Sequence, residues 1–306
     1  DWGPDRYTNV SDIPDMTMWQ WGNYNNGNMS GIYTHEGAVD IDYDKWNNSD
    51  EKTELSKNKV VIGVVDSGID ETNPDLQNVL WNGSSFDKCG DTHGCFCGDY
   101  PDLTSTTNIY SSHGSHVAGI IGAEWNNIGT SGIAPNVELM SLRHSDSLAS
   151  IMGCLNYAKL ARENGVNIIA TNNSWNLGAC ASNMINVGVT ELGQNGIVNV
   201  FASGNDTMNA DRTSMTCSFL ANNPYAIVVD SIVPNATMAD YSNYGIATTD
   251  ICAPGSVILS TCANSMKESQ WLYYLGEADA HDTEKTTARG NLVNYTRFDE
   301  ASATTN

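Results

Sequence analysis

Basic residues are scarce in this sequence. Fourteen Lys and Arg stand against 36 Asp and Glu in 306 residues, giving a formal net charge of −22. A surface this acidic repels phosphate backbones and anionic headgroups, so nucleic acid and anionic membrane are excluded as expected partners. Charge of either sign is sparse too, at 16% of residues, which is too thin for a halophilic surface. No apolar run reaches the roughly 18 residues of a membrane-crossing helix, so no membrane span is expected. No basic, apolar leader precedes Asp1, so any signal or pro-segment is expected to be gone already. The low charge does not imply disorder, because 40% of residues are hydrophobic and the excess polarity lies in uncharged residues, including 35 Asn. The length suits one large α/β domain that can bury a core without covalent staples.

Paired C-x-x-C motifs are also missing. Eight Cys are spread along the chain as Cys89, Cys95, Cys97, Cys154, Cys180, Cys217, Cys252 and Cys262. Three of them, Cys89, Cys95 and Cys97, enclose His93, which raises zinc; tetrahedral zinc needs four ligands, and a disulfide-stapled loop is the plainer reading. Glycosylation sequons begin at Asn9, Asn28, Asn47, Asn82, Asn172, Asn205, Asn235 and Asn294. With the Cys they point to a secreted, extracellular or vacuolar protein of eukaryotic type.

Residues 1–57 carry no sustained periodicity and read as a strap over a surface. The run Lys59–Val65 is short, apolar and β-branched, the pattern of a buried strand. Residues 77–112 read as a long turn-rich loop. A helix is expected over His113–Ala123, a strand over Val137–Leu142, and a helix over Ser147–Asn164 with Ile151, Leu155, Ala158 and Ala161 on one side. Strands over Val166–Thr171, Gly196–Ala202 and Ala226–Ile232 follow, with a helix over Met184–Leu192. This alternation predicts an α/β fold whose parallel sheet is covered on both faces. Residues 58–262 form that core, and 263–306 read as a polar extension or the start of an insertion.

Ligands in open parallel sheets bind beyond the carboxyl ends of the strands. Asp66 ends one strand, Asn205 ends another, and His113 opens a helix. A carboxylate leaving a buried strand needs a partner. Together the three have a division of labour available to them. The carboxylate would orient an imidazole, the imidazole would take a proton from a nucleophile, and the amide would donate to a developing oxyanion.

The surrounding motifs make this specific. Val64-Val65-Asp66-Ser67-Gly68-Ile69-Asp70 resembles the aspartate motif of the subtilisin-like serine proteases. Ser112-His113-Gly114-Ser115-His116-Val117-Ala118-Gly119 resembles their histidine motif, and Ala202-Ser203-Gly204-Asn205 their oxyanion segment. Ala253-Pro254-Gly255 matches the segment that precedes the nucleophile in that family. The resemblance implies Asp66, His113 and Asn205 as catalytic residues of a peptide-bond hydrolase acting on polypeptide substrate. It leaves His116 outside the chemistry.

The resemblance also implies structural calcium. Glu124-Trp125-Asn126-Asn127-Ile128-Gly129-Thr130 occupies the place of a calcium loop. Asp75 and Asn126 match side-chain ligands, and Glu124, Ile128 and Thr130 offer carbonyls, all oxygen donors suited to a hard cation. In the substrate cleft, Ser174, Trp175 and Asn176 take the place of the segment that pairs with substrate as an added strand, with Gly204 opposite. Trp175 replaces an aliphatic residue and Asn176 a Gly, so a narrowed pocket is expected. The sequons at Asn172 and Asn205 fall in this cleft and are expected to be unmodified.

The family's nucleophile motif, Gly-Thr-Ser-Met-Ala, is absent from the chain. After Gly255 the serines are Ser256, Ser260, Ser265, Ser269 and Ser302, and Asn264-Ser265-Met266 is only a partial imitation. The expectation is a subtilisin-like fold whose C-terminal part is missing here, with the Ser on a companion C-terminal chain of a processed precursor. The alternative is an inactive homologue with a structural or binding role.

Overall fold

The structure is a computed structural model. It describes residues 20–23, 25, 40–41, 59–86, 93–97, 113–126, 130–134, 136–178, 182–256, 258–261 and 263, and the strand 295–298. Among the described residues nine strands and three α-helices run in the order β1 (Val60–Asp66), β2 (Gly94–Cys97), α1 (His113–Gly122), β3 (Val137–His144), α2 (Leu148–Glu163), β4 (Ile168–Asn173), α3 (Asn183–Gln194), β5 (Val198–Ala202), β6 (Ala226–Ile232), β7 (Ile251–Pro254), β8 (Ile258–Thr261) and β9 (Tyr295–Phe298). The first seven strands form one sheet in the order β2-β3-β1-β4-β5-β6-β7, and every pairing is parallel.

The central strand β1 is the V-V-I-G-V-V-D run. Val64 and Val65 are both buried, although alternate side chains of a strand face opposite ways, so both faces of the sheet are covered here. On one face Val61, Val65, Met140 and Leu142 pack with Ile151, Leu155, Ala158 and Ala161 of α2 and with Ile185, Val189 and Leu192 of α3. On the other, Val64, Val137 and Leu139 pack with Val117 and Ala118 of α1. Helix α2 starts where Ser147 Oγ accepts from the Ser150 N–H at 3.1 Å, and α3 where Ser182 Oγ accepts from Met184 N–H at 3.2 Å. Each cap satisfies an amide that has no partner within its helix.

The expected strands and helices are present with shifts of a few residues at their ends. The long loop expected over 77–112 is corrected in part: Gly94–Cys97 pairs with Ser141–His144 of β3 and extends the sheet. Within the stretch read as a polar extension, Tyr295–Phe298 pairs antiparallel with β8.

The α1 face is not evenly covered. Register places Val198, Ile227 and Ile251 on that face, across β5, β6 and β7. They are 45%, 38% and 57% exposed. Large aliphatic side chains in adjacent strands of a parallel sheet are ordinarily covered.

Candidate active site

β1 has β3 on one side and β4 on the other, so the chain changes direction across the sheet at β1. Such switch points open a crevice beyond the carboxyl ends of the strands. Asp66 lies at this crevice. Its carboxylate is buried and accepts from His113 Nδ1 at 2.9 Å on each oxygen. The Ser67 backbone N–H adds a third bond at 2.7 Å. His113 is the first residue of α1, and the loop after β1 is stitched to that helix. Gly114 N–H donates to Ser67 Oγ at 3.0 Å, and Asp70 N–H donates to Ser115 Oγ at 2.9 Å. Gly114 carries no β-carbon because one would run into the Gly68 carbonyl.

Burial alone would raise the Asp66 pKa and is the largest single influence on it. The charge of His113, its hydrogen bond and the Ser67 amide together outweigh burial, so the carboxyl is held below its ordinary value. An ionised carboxylate at Nδ1 fixes the proton there and leaves Nε2 as the basic nitrogen.

Asn205 follows β5 after a turn through Gly204, whose φ of +106° is a conformation that other residues rarely adopt. A β-carbon at Gly204 would also run into Asn243 Nδ2. Asn243 is fully buried and shapes this turn. Its Oδ1 accepts from the N–H groups of Asp206 (3.0 Å) and Met208 (2.9 Å), and its Nδ2 donates to Ser203 O at 2.9 Å. The sequence reading missed Asn243, one Asn among many and without a motif to mark it. β5 is two strands from β1, so the strand ends bearing Asp66 and Asn205 are roughly 10 Å apart, with the end of β4 between them.

Asn173 and Ser174 sit at that intervening end. Ser174 Oγ accepts from Asn172 Nδ2 at 3.0 Å. The Trp175 ring is buried in the core against Phe201, at 5.5 Å between ring centroids, so the ring is directed away from the crevice. Asn176 Oδ1 accepts from Gly178 N–H (3.0 Å) and Thr216 Oγ (3.1 Å). Its Nδ2 would lie 3.2 Å from a β-carbon on Gly204, so Asn176 does stand beside the oxyanion segment.

Neither described serine after Gly255 faces His113. Ser256 Oγ bonds to Tyr241 Oη at 2.7 Å, and Ser260 Oγ donates to His116 O at 2.7 Å. Ser265, Ser269 and Ser302 lie outside the described residues. A cavity of about 200 Å³ opens beside Asn205, lined by Ser174, Gly204, Ser231, Ser242 and Pro254 among others.

The candidate calcium residues also meet. Asp75 is fully buried, and its Oδ2 accepts from the Thr130 N–H at 3.0 Å and hydroxyl at 3.4 Å. The Asp75 carbonyl accepts from Glu124 N–H at 2.9 Å, and Asn126 Nδ2 reaches Glu124 Oε2 at 3.5 Å. Ile128 lies outside the described residues. Gln20, far away in sequence, joins the group. Its amide bonds both the N–H and the carbonyl of Ser131, at 3.1 Å each. The carboxylate, amide and carbonyl oxygens assembled here fit a hard cation. The sequence reading missed Gln20, because only the tertiary fold brings it to this loop.

Among the described residues no helix is long and apolar enough to cross a membrane. The model of the subtilase family matches residues 57–304. Subtilisin NAT of Bacillus subtilis subsp. natto is 32% identical over 207 residues, 66% of this chain and 48% of that protein. The major intracellular serine protease of Bacillus subtilis is 31% identical over 212 residues, 67% of this chain and 60% of that protein. The chain thus spans about half the length of Subtilisin NAT. Among solved structures, a protease from Pseudoalteromonas arctica superposes with a TM-score of 0.57 at 22% identity, covering 81% of this chain and 76% of that one. A cold-adapted subtilisin-like serine proteinase gives 0.51 at 19%, covering 80% and 74%. The motifs around Asp66, His113 and Asn205, the parallel sheet and these likenesses agree: the chain belongs to the subtilase family.

Proposed function

We propose that this chain contributes the Asp, His and oxyanion donor of a serine endopeptidase. The observation that carries this reading is the Asp66–His113 pair, an ionised, buried carboxylate bonded to Nδ1 at 2.9 Å. His113 Nε2 takes the proton of a serine hydroxyl as its oxygen adds to the scissile carbonyl carbon. Asp66 stabilises the resulting imidazolium. Asn205 Nδ2 donates to the carbonyl oxygen as it becomes an oxyanion, and His113 then gives its proton to the departing amine. Water repeats the cycle to release the acyl group. The oxyanion amide is worth about 10²–10³ in kcat, a figure that comes from a bacterial subtilisin.

The substrate is a polypeptide, added as a strand along Ser174, Trp175 and Asn176 through their backbone, with Gly204 opposite. Asn176 narrows the pocket beside Gly204. Asp75, Glu124, Asn126, Ile128 and Thr130 would hold structural calcium, which would tie the loop after α1 to the one after β1.

The nucleophilic Ser comes from a companion C-terminal segment of a processed precursor. Two features support this reading. The apolar row Val198, Ile227 and Ile251 needs a cover, and the cavity beside Asn205 opens among strands that carry the same row. A helix laid over β5–β7 would bury the row and bring its end to that cavity.

Fluorophosphonate labelling of the purified protein with calcium present tests both parts. Label on a companion polypeptide is the expected result. No label on any polypeptide would leave the inactive homologue as the better reading.

A further inference from the structure

We propose that Cys95, Cys97 and Cys154 form a three-sulfur site for a thiophilic cation of the zinc group. Cys95 and Cys97 alternate along β2, so their side chains leave the same face of the sheet. Their sulfurs are 3.3 Å apart. Cys154 comes from α2, and the three sulfurs all lie within 4.8 Å of one another. The helix approaches this closely because residue 153 is Gly: a β-carbon there would come within 3.0 Å of Cys97 Cβ.

Disulfide chemistry among these three residues cannot use all three sulfurs. Cys95 and Cys97 are two residues apart in an extended strand, which sets their β-carbons roughly 6.6 Å apart. A disulfide needs about 3.5–4.5 Å. Cys154 could join one of them and would leave the other sulfur in contact with the bond. A zinc-group ion engages all three. Zn–S bonds of about 2.3 Å at tetrahedral angles put sulfurs about 3.8 Å apart, inside the spacing found here. Sulfur-only donors select such soft ions over calcium or magnesium. Cys95 and Cys154 are fully buried, and the partly exposed Cys97 gives an access path.

Binding converts three thiols to thiolates and releases three protons to solvent; no electron moves. The metal keeps its +2 charge, and the three sulfurs fill three of its four tetrahedral positions. The bound ion clips β2, which among the described residues pairs only with β3, to the helix behind it. This differs from the zinc reading that the sequence suggests around His93. His93 turns its Nδ1 to Trp81 O at 2.9 Å, and its Nε2 lies 3.5 Å from Glu71. Cys89 lies outside the described residues.

Cadmium titration of the metal-free chain, followed by the thiolate-to-cadmium ultraviolet band, is the test. One equivalent should saturate the band with release of about three protons. Cys154→Ser should weaken binding by at least the ~100-fold that even an outer-shell change can cost, while Cys217→Ser leaves it unchanged. If Cys154→Ser does not fold, zinc should instead protect Cys95, Cys97 and Cys154 of the wild-type chain from iodoacetamide, read by peptide mass mapping. A non-reducing map that finds Cys95, Cys97 or Cys154 in any disulfide overturns the proposal. So does a cadmium band that survives Cys154→Ser, or the absence of protection by zinc.

Discussion

The first turn of the helix that carries His113 rests against the loop that carries Asp66, with Gly114 in van der Waals contact with the Gly68 carbonyl. A β-carbon on Gly114 would run into that oxygen and come within 3.1 Å of Asp66 Oδ1. Gly114→Ala should therefore push α1 off the loop and lengthen the 2.9 Å bond between Asp66 and His113. The expected outcome is a loss of activity larger than the loss of stability. Thermal unfolding and turnover measured on the same preparation distinguish the two.

Asp66→Asn should leave the fold intact and cut kcat by about 10⁴, because an amide no longer fixes the proton on Nδ1 or balances an imidazolium. It should also change the pH dependence of stability. The Asp66 carboxyl has its folded pKa lowered, so its contribution is present above its ordinary value near 4 and is lost as pH falls through the lower folded value. Melting curves from pH 7 to pH 2 should show the wild type losing its advantage over the variant only at the acid end.

Asn205→Ala should lower kcat by about 10²–10³ with little change in KM, since the amide acts on the oxyanion more than on the ground-state carbonyl. Steady-state kinetics with a peptide substrate, on the chain assembled with its companion segment, check this. For the same reason Asn205 should carry no glycan despite its sequon, and glycopeptide mapping reads that directly.

Cys217 is buried and donates to Ser203 O at 3.1 Å. Burial is the main cause that pushes its thiol up from 9.0 to about 11. Its thiolate fraction at neutral pH should be lower by about 100-fold than that of an ordinary thiol, so iodoacetamide should modify it only after denaturation.

Chelation should expose the role of the Asp75 loop. Removing calcium, or Asp75→Asn, should lower Tm and speed proteolytic nicking near Glu124–Thr130, and added calcium should rescue the wild type alone. Calorimetry with and without chelator makes the comparison.

Where a segment's own chemistry determined its structure, the sequence was legible. β1 is a continuous apolar run, and Ser147 caps α2 in the way its position suggests. The motifs around Asp66 and His113 mark a strand end and a helix start, and those two side chains meet at 2.9 Å. Long-range roles were not legible. β2 is a Gly-Cys-Phe-Cys tetrapeptide inside a turn-rich stretch, and only its pairing with β3 makes it a strand. Asn243 and Gln20 are amides whose importance comes from partners distant in sequence, Ser203 and Ser131 among them. Trp175 read as a cleft residue because of its position, yet its ring fills the space beside Phe201. Periodicity cannot reveal which face of an irregular segment is buried.

The register of β1 carries a consequence for how the chain reaches its working form. Val60 pairs with Val137 and Val61 with Ile168, so neither neighbour of the central strand is local. Such pairings require long loops to close before any contact repays the lost entropy, and they make folding slow. The hydrogen bond between Asp66 and His113 spans part of that closure. It needs both the strand and the helix in place, so the chemical shift of the His113 ring proton would report on that part of the closure.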